Sequence, residues 1–241
     1  MNLPASEGRK VAFFGGSFDP PHRGHLAVAR AAQVALALDS VLFAPVGVQP
    51  LKPRGATASF ADRLAMTRLA IQDEPNFAIS LADAPTSDTA HNYTMETLLH
   101  LRHELAAGDE LYCLMGADSF LNLRNWHRAA EIPFAAPLIV AARPGQPLED
   151  LTSSLPAGLS IDIPFSETRS LAGIEMHTST IRNAASASAP FFLLPRLHVD
   201  VSATEIRRQV RAALGRLCEG HDLLPDRVCE YIAAHRLYRS L

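Results

Sequence analysis

The sequence predicts an α/β protein, a doubly wound parallel sheet in a single domain. Three observations carry that expectation. Short apolar runs at 11–14, 40–44, 77–81, 111–115 and 137–142 alternate with helix-patterned stretches, the pattern of strands covered on both faces by crossover helices. Two glycines and two prolines stand where the first run meets the first helix, a strand-to-helix turn of the kind that binds ligands in such sheets. The chain has 241 residues, 48% hydrophobic and 20% charged, enough for one α/β domain with a full core.

In chain order, 1–10 has neither an apolar h-region nor a cleavage-site pattern and is read as a flexible tail, leaving 11–241 as the domain. The first strand, 11–14, runs into Gly15, Gly16, Ser17, Phe18, Asp19, Pro20, Pro21, His22, Arg23, Gly24 and His25. The glycines let backbone approach a ligand, and the prolines suit a turn and a first helical position. The helix N-terminus favours an anion. His22 and His25 are three apart, on one face of the first turn of a helix over 26–38, and both can donate to phosphate oxygens.

After the second strand, 40–44, the Pro- and Gly-rich loop 45–58 carries Lys52 and Arg54. Loops at the carboxyl ends of strands hold ligands in open α/β sheets, so both are phosphate candidates; solvated surface charge is the alternative. Ser59 and Asp62 predict a capped helix with Ala61, Leu64, Ala65 and Leu69 as its buried stripe and no chemistry. A strand at 77–81 and a polar loop lead to a helix capped by Thr94, with Leu98, Leu101 and Leu105 inward. His100 and His103 are expected to be solvated.

The fourth strand, 111–115, ends in Gly116, Ala117, Asp118 and Ser119. A carboxylate there suits ribose hydroxyls, with a turn or N-cap role as the alternative. Trp126 is the only tryptophan; it is either core or a stacking surface for an aromatic base or pyridine. Beyond the fifth strand, Ser, Ala and Pro dominate 144–197, which reads as a peripheral insertion or flap. Alternation over 197–201 predicts a strand, and Ser202 with Glu205 a capping box for a helix burying Ile206, Val210, Ala213 and Leu214. That helix places hydroxyls and Arg207 at a second anion-binding N-terminus. A closing helix follows from 224, read as scaffold.

The formal net charge of −3 gives no footprint for a nucleic-acid polymer and points to a small anionic ligand. Cys113, Cys218 and Cys229 form no Cys-x-x-Cys pair and are read as reduced core thiols, not a disulfide framework or zinc site. The longest apolar stretch, near 132–142, is interrupted by Pro133 and Pro137 and falls short of the ~20 residues that span a bilayer. A cytoplasmic protein with no membrane association is expected, and a homo-oligomer is left open.

The Gly15–His25 segment resembles the His-x-Gly-His signature of the nucleotidylyltransferases in its long form, Gly-Gly-Ser/Thr-Phe-Asp-Pro-x-His-x-Gly-His, and within that superfamily the bacterial-type nicotinate mononucleotide adenylyltransferases. The resemblance extends over 11–143 and 198–238. It includes Tyr93-Thr94-Met95-Glu96-Thr97-Leu98, the Gly116-Ala117-Asp118…Trp126 segment, Arg143-Pro144-Gly145, Val201-Ser202-Ala203-Thr204-Glu205-Ile206-Arg207, and the closing Leu237-Tyr238. The chain departs at Val46-Gly47, where the family usually shows asparagine, at Leu51, which precedes Lys52 without a histidine, and at His127-Arg128.

The resemblance implies a Rossmann-like nucleotidylyltransferase fold. The implied reaction is adenylyl transfer from ATP to nicotinate mononucleotide, giving nicotinate adenine dinucleotide and pyrophosphate in NAD biosynthesis. It implies Gly15, Gly16, Ser17, Phe18, His22, Gly24, His25, Ser202, Thr204 and Arg207 around ATP. His22, His25, Lys52 and Arg207 would be catalytic. Thr94, Asp118 and Trp126 would hold the pyridine nucleotide. Mg²⁺ would arrive with the ATP phosphates, with no separate protein metal site. Nicotinamide mononucleotide or phosphopantetheine as acceptor, or a nucleotide-binding regulator with decayed catalysis, are the alternatives.

Overall fold

The computed structural model describes residues 8–50, 55–86, 91–142, 152–195, 197, 201–212 and 223–239. Its elements are β1 (Lys10–Gly16), α1 (Arg23–Leu36), β2 (Ser40–Pro45), α2 (Phe60–Ile71), β3 (Phe77–Ile79), α3 (Thr94–Glu104), β4 (Glu110–Gly116), α4 (Ala117–Leu121), α5 (Ile132–Ala135), β5 (Leu138–Ala141), β6 (Leu159–Ile161), β7 (Glu167–Leu171), β8 (Ile174–Asn183), β9 (Ser188–Leu194), α6 (Ala203–Ala212) and α7 (Asp226–Ala234).

The strands form one sheet in the order β3-β2-β1-β4-β5-β9-β8-β6, with β7 paired on β8. From β3 to β9 every pairing is parallel, so all five expected strands lie side by side. Alternation along β1 splits the core. Ala12 and Phe14 face α1, α2 and α7, whereas Val11 and Phe13 face α3 and α5. Both layers are closed, as a doubly wound sheet requires. The chain leaves β1 towards β2 on one side and later builds β4 on the other, so the strand order reverses between β1 and β4. The crevice beyond their carboxyl ends is where such sheets place ligands.

Five expectations are corrected. The segment 144–197 is not wholly peripheral: β9 pairs in parallel with β5, Leu138 opposite Phe191 through Ala141 opposite Leu194, and Phe191, Leu193 and Leu194 are buried. Pro190, which argues against a central strand, pairs with Thr180 of β8 just before the β5 pairing begins, so no β5 ladder bond is lost. The strand expected at 197–201 is absent at 197 and 201, while 198–200 lie outside the described residues; β9 is the strand that leads to α6.

The buried stripe of α2 is rotated from the expected one and comprises Arg63, Met66, Thr67, Ala70 and Ile71. Arg63 is buried with both terminal nitrogens of its guanidinium donating to carbonyl oxygens, as described below. Tyr93, not Thr94, is the N-cap of α3, and Thr94 is its first helical residue. Of the cysteines, Cys113 is a free buried thiol, Cys229 is disulfide-bonded against the reading as a reduced thiol, and Cys218 lies outside the described residues. Among the described residues no helix is long and apolar enough to cross a membrane.

Candidate active site

At the β1/β4 switch point a cavity of about 640 Å³ opens between the β1–α1 turn, the start of α3, the β4–α4 turn and the start of α6. Its floor begins with Gly15 and Gly16, the last residues of β1. A Cβ at Gly15 would come 2.6 Å from the Phe13 ring, so a side chain there would displace the ring beneath the cavity. Phe18 then turns the chain with φ 46°, a left-handed conformation that costs a bulky residue on the order of 1–3 kcal/mol. Its ring is buried against Phe14, Phe43 and His25, and that packing holds the strained backbone.

His22 is the N-cap of α1, with extended backbone, and its ring stacks on that of His25 with centroids 3.7 Å apart. The His22 amide donates to Nδ1 of His25 at 3.1 Å. An imidazole nitrogen that accepts a hydrogen bond carries no proton, so neutral His25 bears its proton on Nε2 and offers one fixed donor. Burial first, and the charge of His22 second, hold the His25 pKa well below its ordinary value. His25 is therefore a neutral, oriented hydrogen-bond donor beside the cavity and not a cation.

Behind this turn lies a polar cluster that sequence reasoning missed. Asp19 is 4% exposed and accepts from the amides of Thr57 at 2.6 Å and Ala58 at 3.1 Å and from the Tyr238 hydroxyl at 2.7 Å. Arg63 donates through Nη1 to Ser17 O at 2.7 Å and through Nη2 to Val46 O at 2.8 Å. Both carbonyls belong to loops bordering the cavity, so one guanidinium ties the β1–α1 turn to the β2 loop. Burial lowers the Arg63 pKa, and the charges of Asp19 and Tyr238 oppose that. The sequence carried no local signal of this, because Arg63 lies opposite the apolar stripe expected for α2.

The opposite wall is knit from three segments. Asn92 Oδ1 accepts from the Val48 amide at 2.9 Å, and its Nδ2 donates to Ala84 O at 3.0 Å. The Asn92 amide donates to Val48 O at 3.0 Å and the Gly47 amide to Asp83 O at 2.8 Å. Asp83 is 4% exposed and accepts from Thr97 Oγ1 at 2.8 Å. Burial raises its pKa to about 6, partly offset by Thr97. A Cβ on Gly47 would stand 2.6 Å from both Asn92 Oδ1 and Pro85 N, so the departure at Gly47 makes room for Asn92.

The cavity wall includes Gly15, Gly16, Ser17, Phe18, His22, Gly24, His25, Thr94, Asp118, Trp126 and Ser202, thus bringing together residues from four separate predicted segments. Asp118 lies in the first turn of α4, and Trp126 caps the short 3-10 turn Leu123–Asn125. His127, at the same mouth, has its ring centroid 4.5 Å from that of Tyr93 and Nε2 3.4 Å from Glu96. Ser202 Oγ accepts from the Glu205 amide at 3.1 Å, so the expected cap of α6 is present.

Thr204 and Arg207 are not on the cavity wall. Arg207 Nη1 donates to Asp19 O at 2.6 Å and Nη2 to Thr204 Oγ1 at 3.2 Å, which places both beside the β1–α1 turn. Lys52, Arg54 and the Arg143-Pro144-Gly145 segment lie outside the described residues.

Residues 13–209 match the family model described as cytidylyltransferase-like. A relative from Solibacter usitatus, named "Probable nicotinate-nucleotide adenylyltransferase", is 34% identical over 95% of this chain and 99% of its own length. One of the same name from Roseiflexus castenholzii is 37% identical over 95% and 98%. Among solved structures, the Plasmodium falciparum nicotinic acid mononucleotide adenylyltransferase complexed with NaAD superposes with a TM-score of 0.65 at 15% identity, covering 95% of this chain and 97% of that one. That likeness concerns the fold. With sequence relatives matched end to end, the chain belongs to the nicotinate-nucleotide adenylyltransferase family of cytidylyltransferase-like proteins.

Proposed function

We propose that this protein transfers the adenylyl group of ATP to nicotinate mononucleotide, releasing pyrophosphate and nicotinate adenine dinucleotide for NAD biosynthesis. The observation that carries the reading beyond family membership is the single cavity at the switch point. It joins an imidazole-bearing helix N-terminus to a wall holding Thr94, Asp118 and Trp126.

In the reaction a 5′-phosphate oxygen of the mononucleotide forms a bond to the α-phosphorus of ATP, and the bond from that phosphorus to the bridging oxygen of the β-phosphate breaks. Such transfers need position and charge neutralisation more than covalent help. His25, its proton fixed on Nε2, donates to the α-phosphate as negative charge grows there. The α1 N-terminus and His22 hold neighbouring phosphate oxygens. Ser202 and the start of α6 receive the β- and γ-phosphates, with Arg207, anchored on Asp19 O, and the neighbouring Thr204 hydroxyl supporting them from beside the β1–α1 turn. Lys52 adds a further cation.

Asp118 accepts ribose hydroxyls, Trp126 stacks on the pyridine, and Thr94 offers the start of α3 to the pyridine carboxylate. Mg²⁺ enters as MgATP. Bound to the triphosphate, the ion would supply charge neutralisation there. We place the reaction in the cytoplasm.

The test is pyrophosphate release from MgATP with nicotinate mononucleotide, nicotinamide mononucleotide and phosphopantetheine in parallel. Strong preference for the nicotinate form is expected. Preference for another acceptor overturns the substrate assignment, and ATP binding without release overturns the enzymatic reading.

A further inference from the structure

The C-terminal helix and turn, which pattern alone marks as scaffold, are wired into the phosphate end of the cavity at two points. The first is at α1, where the Arg23 amide, one of the first-turn donors a helix leaves unpaired, donates to Leu223 O at 3.0 Å. The second is Tyr238, whose hydroxyl donates to Asp19 Oδ1 at 2.7 Å. That ring is 5% exposed, in a turn tied back to α7 by the Leu237 amide donating to Ile232 O at 3.1 Å.

The second point leads onward through Asp19. Its carboxylate holds the Thr57 and Ala58 amides, and its backbone oxygen receives Arg207 Nη1 at 2.6 Å. Without the Tyr238 hydroxyl, a buried carboxylate loses one of its three donors and sits nearer the uncompensated state that interiors do not tolerate. Two cations border it: Arg207 Nη1 lies 4.0 Å from Asp19 Oδ2, and the Asp19 charge reaches buried Arg63. Relief would come from a shift of Asp19, backbone included, towards one of these guanidiniums. Such a shift would displace the Asp19 carbonyl that anchors Arg207 and strain the turn that Arg63 holds at Ser17 O.

We propose that Tyr238 is a positioning residue for adenylyl transfer, acting through Asp19 to fix Arg207 and the β1–α1 turn at the ATP phosphates. This rests on the reading given under Proposed function. Tyr238 is not on the cavity wall, and its effect passes through one carboxylate.

The experiment compares Tyr238→Phe with Tyr231→Phe. Tyr231 stands on α7, in the same C-terminal segment, and donates to Asp62 Oδ1 at 3.0 Å and not to Asp19, so it controls for loss of one hydroxyl from this segment. Steady-state constants for MgATP and nicotinate mononucleotide are measured for both, with melting temperatures.

Tyr238→Phe is expected to lower kcat/KM for MgATP about tenfold, leave KM for the mononucleotide within twofold, and melt within a few degrees of wild type; Tyr231→Phe keeps wild-type kinetics. Equal kinetics for both variants and wild type, or equal losses on both substrates, overturn the proposal. An inactive wild-type enzyme would instead overturn the functional reading. Should Tyr238→Phe melt early, ATP affinity by calorimetry below its transition decides the matter: unchanged affinity and unchanged single-turnover rate overturn the inference.

Discussion

Asp83→Asn should stabilise this protein at neutral pH and do far less in acid. Asp83 is 4% exposed, and burial raises its carboxyl from 3.8 to about 6 against the hydrogen bond from Thr97. The folded state therefore binds this proton more tightly than the unfolded chain does. Stability from that linkage is complete below the unfolded value and is lost as pH rises through the folded one. A gap of roughly two pK units corresponds to about 3 kcal/mol at pH 8, of which about 1 kcal/mol is already lost at pH 4.5. Asparagine keeps an oxygen to accept from Thr97 Oγ1 and does not titrate, so the variant should gain about 2 kcal/mol on wild type between pH 4.5 and 8. Urea unfolding of both proteins at those two pH values measures this. A stability difference that does not change with pH, or one that turns against the variant at pH 8, would refute the reasoning.

Two further predictions concern catalysis. His25→Ala removes the neutral donor whose tautomer is set by the His22 amide; kcat should fall about a hundredfold or more, as loss of one preorganised donor does, with an unchanged circular dichroism spectrum, and near-normal turnover would remove His25 from the mechanism. Gly47→Ala sets a methyl 2.6 Å from Asn92 Oδ1 and from Pro85 backbone, so the wall must shift; KM for nicotinate mononucleotide should rise several-fold with KM for MgATP unchanged, and equal effects on both would show that the wall serves another end of the cavity.

The strands and the ligand turn were legible because their signals are local. The apolar runs at 11–14 and 111–115 lie within β1 and β4, and the Gly15–His25 segment bridges β1 and α1 as its glycines, prolines and histidines require. Two kinds of feature were not legible. Pro190 and a run of Ala and Ser disguise β9 as loop, since a proline's missing donor is harmless only where the neighbouring ladder has not begun. Arg63 and Asp19 are buried because of partners far along the chain, Ser17 and Val46 for one and Thr57, Ala58 and Tyr238 for the other. A helical stripe computed from apolar residues alone turns away from a buried guanidinium, and so α2 was rotated and its arginine overlooked. The same limit applies to Gly47 and Asn92, which read as departures one at a time and as a fitted pair in space.

Adenylyl transfer in this cavity, as proposed, requires attack at the α-phosphorus of ATP. ATP labelled separately in the α- and γ-phosphates, incubated with the protein, Mg²⁺ and nicotinate mononucleotide, tests it most directly. The α label is predicted to appear in a dinucleotide with the mass of nicotinate adenine dinucleotide, and the γ label in pyrophosphate. A γ label in a phosphorylated acceptor, or in inorganic phosphate with no dinucleotide formed, would contradict it.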